Sequence, residues 1–141
     1  MFNPSQDDVR RFFCGVHEKA RAGRPLDALE TLASQWLAEH AEYDPDMADA
    51  QAAVARVYDG KDGQANPFLH LSMHLSIAEQ VSIDQPPGIR AACTALTARL
   101  GEHDAHHQIM ECLGEMIWKS QREGAQPDAA AYVDCVRKRA G

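Results

Sequence analysis

The sequence predicts an all-α protein: a single-domain helical bundle of about six or seven helices over residues 1–141. Three observations carry that reading. Apolar residues recur at spacings of three and four along most of the chain, which is the period of one helix face. No run sustains the two-residue alternation of a half-buried strand. Cap and stop residues punctuate the pattern, with Ser5, Asn66 and Asp128 before apolar runs and Gly23 and Gly101 after them.

Taken in order, Ser5 with Asp8 resembles a capping box that opens a first helix to about Ala22. Val9, Phe12, Phe13 and Val16 form its apolar face, and Gly23 stops it. Pro25 sits at the start of a second helix that carries Leu26, Leu29, Leu32, Trp36 and Leu37 and ends near His40. Asp44-Pro45 opens a shorter helix running through Val54 and Val57. Gly and Asp mark residues 58–65 as a loop. Asn66 caps the next helix with Pro67 in its first position, and that helix ends before Asp84-Gln85-Pro86-Pro87-Gly88. Asp84 is expected to cap the segment Ile89–Leu100, which Gly101 ends. A long helix follows from Glu102 to about Arg122, then a turn over Gly124–Pro127 and a last helix capped by Asp128.

The bulk numbers narrow the function classes. A chain of 141 residues suits one domain and buries a core without staples. The formal net charge is −7, and there is no dense Lys/Arg block. Neither nucleic acid nor an anionic membrane is therefore an expected partner. Arg137-Lys138-Arg139 suits a helix C-terminus, where cations complement the dipole. The opening MFNPSQDDVRRFF has no basic region followed by an apolar run, so no secretory leader is expected. No apolar stretch approaches the ~20 residues of a membrane span. Cys14, Cys93, Cys112 and Cys135 form no CxxC pair and sit among helix-forming residues, so they read as reduced core residues. The expected location is the cytoplasm.

Histidines carry the chemistry. In NPFLHLSMHLSIAEQ, His70 and His74 lie four apart, one turn apart on one helix face, with Ile77 and Val81 continuing the stripe. In GEHDAHHQIMECLGEMIW, His103, His107, Glu111 and Glu115 are each four apart, among apolar Ile109, Met110 and Leu113. Imidazole and carboxylate bind iron, manganese, zinc or nickel, and bundle metal sites are assembled from facing helices. The candidate ligands are His70, His74, His107, Glu111 and Glu115, with Glu79 and His103 as further ligands or general bases. Polar stripes are also ordinary solvated faces, and core histidines bonded to carboxylates leave the same pattern in a sequence. There is no HExxH, no ExxH of the ferritin-like type, no phosphate loop and no GxSxG. Ser72 and Ser76 beside His74 read as packing residues rather than nucleophiles. No organic cofactor is indicated, and no catalytic residue can be named.

The segments NPFLHLSMHLSIAEQVSIDQPPGIR and HHQIMECLGEMIWKSQREG, with the opening VRRFFCGVHEKARAGRPLDALE and the later HAEYD, resemble the bacterial family catalogued as domain of unknown function 1841. The resemblance covers nearly the whole chain. It implies a small, mostly helical cytoplasmic protein and no particular activity. His70, His74, His107, Glu111 and Glu115 match its histidine-rich pattern.

Two readings of function stand side by side. One is a metal-binding helical protein, extending to a metal-dependent enzyme. The other is a non-catalytic interaction module or homo-oligomer whose His/Glu cluster is a structural hydrogen-bond network, with Trp118, Tyr132 and the apolar faces of the first two helices meeting a partner. A bundle with a histidine-lined pocket for a small molecule is a third variant.

Overall fold

The structure, a computed structural model, describes residues 5–58 and 66–141. Helices α1 (Gln6–Arg21), α2 (Ala28–Glu39), α3 (Asp44–Met47), α4 (Ala50–Ala55), α5 (Pro67–Ile83), α6 (Ile89–Leu100), α7 (Glu102–Glu123) and α8 (Ala129–Ala140) follow one another, with a 3-10 turn at Ala41–Tyr43. Among the described residues there is no strand, so the all-α expectation holds. No described helix is long and apolar enough to cross a membrane. The chain divides into two compact units, Met1–Leu75 and Ser76–Gly141. Apart from Tyr58, the loop expected over residues 58–65 lies outside the described residues.

The capping residues act largely as the sequence suggests. Ser5 Oγ accepts from Asp8 N at 3.1 Å, and Asn66 Oδ1 accepts from Phe68 N and Leu69 N. Each satisfies backbone donors that a helix N-terminus leaves without an internal partner. Two boundaries differ. Helix α2 begins at Ala28, not at Pro25, because Asp27 and Glu30 form a reciprocal capping box that starts the helix there. The helix expected from Asp44 through Val57 is broken in two. Asp49 leaves the helical conformation, and its carboxylate accepts from Gln51 N and Ala52 N, so that α4 restarts behind it.

In the first unit, α1 packs against α2, α3 and α4. Phe13, Val16, Ala33, Trp36, Leu37, Met47, Phe68 and Leu71 make its core. Arg10 is buried there too, at 8% exposure. Its guanidinium donates from Nη1 to Ala53 O at 2.8 Å and to Arg56 O at 2.6 Å, and it lies over the rings of Tyr58 and Phe68. A buried cation thus satisfies the last carbonyls of α4 and meets the negative end of that helix's dipole. Asp46 accepts from Tyr58 Oη at 2.9 Å, and burial together with that bond pushes the Tyr58 phenol up to about 12.

In the second unit, α6, α7 and α8 pack on one another around Ile89, Leu96, Ile109, Leu113, Tyr132 and Val136. Tyr132 is 2% exposed and donates to Gln80 Oε1 at 2.6 Å. It is a core residue, which corrects its suggested role on a partner surface. Burial pushes its phenol well above the usual range. Asp84, at φ +52°, accepts from Gly88 N and Arg90 N, and Arg90 donates to Val81 O and Ser82 O, so the joint between α5 and α6 is capped from both sides.

The cysteines divide. Cys14 and Cys93 are free and buried, and burial is the main cause that raises their thiol pKa values. Cys112 and Cys135 are joined in a disulfide with Cα atoms 5.9 Å apart, which corrects the expectation of four reduced thiols. The antiparallel return of α8 along α7 brings together two residues 23 positions apart, a proximity that spacing alone does not reveal.

The Arg10 arrangement has a measurable consequence. Arg10→Met leaves buried carbonyls at the end of α4 without their donor and is expected to destabilise by about 2–3 kcal/mol in urea unfolding. Arg10→Lys should recover only part of that, because one ammonium lacks the planar fork of donors.

Candidate functional site

Three histidines of the first unit come together. His70 and His74 project from one face of α5, one turn apart. His40 is the residue on which α2 ends, and its backbone at φ −127° and ψ 57° has left the helix. His70 Nε2 lies 3.2 Å from His40 Nε2 and 3.2 Å from His74 Nε2. The ligand nitrogens of all three lie within 4.8 Å of one another. His74 is 0% exposed and His40 3%, while His70 is half-buried.

The surroundings set the chemistry of these rings. His40 Nδ1 lies 2.9 Å from Trp36 O in a buried bond. A carbonyl only accepts, so Nδ1 carries the hydrogen, and in the neutral ring the lone pair is on Nε2, the atom facing His70. The Trp36 indole stacks on the His74 ring at 4.0 Å between centroids and 11° between planes. Tyr43 stacks on His40 at 5.2 Å and 8°. Aromatic walls on two sides hold the His74 and His40 imidazoles in one orientation.

The spacing suits an ion. Four nitrogens at ~2.05 Å from a tetrahedral zinc lie about 3.3 Å from one another, close to the two separations of 3.2 Å seen here. The same distances also suit N–H···N hydrogen bonds. A neutral His70 Nε2 carries either one hydrogen or one lone pair, so it completes a hydrogen bond with only one of its two neighbours.

The other expected ligands belong to the second unit. His103 and His107 stand ring to ring on α7, with centroids 4.6 Å apart and planes at 82°. Glu111 is exposed and ion-paired with Arg139, and Gln108 accepts from the same guanidinium. Glu115 is exposed, with Oε2 3.9 Å from Cys135 Sγ. Among the described residues, neither carboxylate belongs to a group of three or more ligand-capable side chains. The helix explains the separation. A stripe of fours drifts ~40° per step, so Glu115 is rotated about 120° from His103 and turns toward α8.

His40 is the residue that sequence reading missed. It carries no His partner at helical spacing; what the sequence offered was its place at the end of the second helix and at the head of HAEYD, one of the segments that carry the family resemblance.

A model for the family described as Domain of unknown function (DUF1841) matches residues 5–138. No curated protein matches the chain, and no solved structure matches it.

His106, beside this pair, is 4% exposed. Burial, and then the charges of His103 and His107, push its pKa down to about 4. Between about 6.5 and 4 the unfolded chain takes up a proton at this position and the folded one does not. Stability therefore falls as pH drops through that window and levels off below it, by at most about 3 kcal/mol from this residue. His106→Gln should flatten the slope of urea-unfolding stability against pH across the window.

Proposed function

We propose that this chain, which belongs to the DUF1841 family, binds a divalent transition metal ion through His40, His70 and His74 of its first unit. The observation that carries the reading is the convergence of three imidazole nitrogens, one of them aimed by a bond from its other ring nitrogen to a backbone carbonyl. That carbonyl bond is the usual outer partner of a metal-ligating histidine, fixing its tautomer and orientation. Water bound to such an ion would be made more acidic. An all-nitrogen set favours zinc, nickel, copper or iron(II) over magnesium and calcium. A metal-dependent enzyme is the further extension, in which the ion would activate a bound water. Supply of ligands by His107, Glu111 and Glu115 is a separate proposal, and for Glu111 it requires release of Arg139.

A second reading has one observation in its favour. Separations of 3.2 Å are ordinary for imidazole hydrogen bonds, so a metal-free histidine network uses the same geometry.

Elemental analysis of tag-free protein separates the two. We expect near-stoichiometric metal that is lost in His40→Ala, His70→Ala and His74→Ala, each with intact helical circular dichroism. Metal retained in all three variants, or absent from wild type grown in supplemented medium, overturns the metal reading. Loss in His107→Ala as well would add that residue to the set. Titration with nickel or copper should quench the fluorescence of Trp36, stacked on His74, and Trp36→Phe should remove most of the response while Trp118→Phe does not. Acidification should release the ion, because imidazole coordinates only when deprotonated.

A further inference from the structure

The Cys112–Cys135 disulfide lies in a cleft of the second unit, formed by α7, α8 and the turn between them. The cleft has a volume of about 380 Å³ and is open to solvent. Its two sulfur-bearing residues are unequal. Cys112 is 1% exposed, whereas Cys135 is partly exposed. A thiolate that exchanges with a disulfide must approach the attacked sulfur on the line of the bond, so access decides which sulfur reacts. Here access favours Cys135.

The charges of the cleft select the thiol. Its charged lining comprises Glu115, Glu123 and Asp128 against Lys119. Three carboxylates and one ammonium give a net charge of −2. Glu115 Oε2 lies 3.9 Å from Cys135 Sγ. A disulfide sulfur carries no hydrogen, so this is a charge beside the reacting atom and not a hydrogen bond. It repels an ordinary anionic thiol and attracts an ammonium group carried on the same molecule. In a short aminothiol the nitrogen and sulfur are separated by two carbons, roughly the spacing of Oε2 from Sγ.

We infer that Cys135 is a thiol-exchange site for small cationic aminothiols. The aminothiol's thiolate attacks Cys135 Sγ while its ammonium pairs with Glu115. A sulfur–sulfur bond forms between the aminothiol and Cys135 as the Cys135–Cys112 bond breaks. The electron pair leaves on Cys112 Sγ, which takes a proton from solvent. A second aminothiol then attacks the sulfur of the bound one, releasing the symmetrical disulfide and leaving Cys135 as a thiolate. Two thiols are oxidised and one protein disulfide is reduced, so no other reactant is needed. The product frees α8 from its covalent tie to α7.

The test uses wild-type protein under native conditions. Cysteamine and 3-mercaptopropionate are supplied at matched thiolate concentration, the reaction is quenched with acid, free thiols are alkylated, and adducts are located by peptide mass mapping. The expected adduct is on Cys135, with Cys112 alkylated. At low ionic strength the cysteamine-to-3-mercaptopropionate rate ratio, divided by the same ratio toward neutral 2-hydroxyethyl disulfide to remove the thiols' intrinsic nucleophilicities, should be at least about five, the scale of one charge contact near 4 Å in water. At ~0.5 M salt this normalised ratio should fall toward one. Glu115→Gln, at an exposed position, should shrink the low-salt ratio while its thermal unfolding stays that of wild type. An adduct on Cys112, a normalised ratio of one at low salt, or no exchange without denaturant overturns the proposal.

Discussion

The hydrogen bond between His40 Nδ1 and Trp36 O is the constraint on which the first unit's polar centre depends. It joins the end of α2 to its own last turn. One hydrogen on Nδ1 leaves the opposite nitrogen as an acceptor, facing His70. The same turn supplies Trp36, whose indole covers His74. One turn of helix thus orients one imidazole and walls in another. Burying polar rings costs free energy unless each is bonded, and the geometry here turns that requirement into convergence.

Charge is handled by the same economy elsewhere in the molecule. Arg10 is buried where the carbonyls of α4 end and where two aromatic rings flank its guanidinium. Arg90 performs the corresponding task at the end of α5, and Asp84 opens α6 opposite it. Arg139 on α8 engages Glu111 on α7, while the Cys112–Cys135 bond ties the same two helices. Chain ends that a helix cannot satisfy internally are met by side chains distant in sequence, and those side chains bind the elements to one another.

Much of this was legible from local chemistry. Asn66-Pro67, Ser5 and Asp128 start helices because a short polar side chain before an apolar period has one evident task, to accept from the first backbone donors. His70 and His74 were legible because a four-residue spacing on a continuous helix leaves no freedom over which face they share. Asp49 was not. Its carboxylate competes with the helix for the same donors, and the carbonyls of Ala53 and Arg56 behind it meet Arg10, a partner more than 40 residues away in the chain. Glu111 and Glu115 continued the stripe of His103 and His107 on paper, yet the drift of the helix turned them toward α8.

By itself, then, the sequence determined the helical class, most helix starts and stops, and the shared face of His70 and His74. Each of these rests on contacts within about one turn, where backbone geometry leaves few choices. Tertiary structure alone decided that His40, 30 residues before His70, joins that pair, and that Cys112 meets Cys135 across two helices. Those partners are set by how helices pack and where the chain returns. No periodicity records that, because side chains that meet across elements share no fixed spacing along the chain.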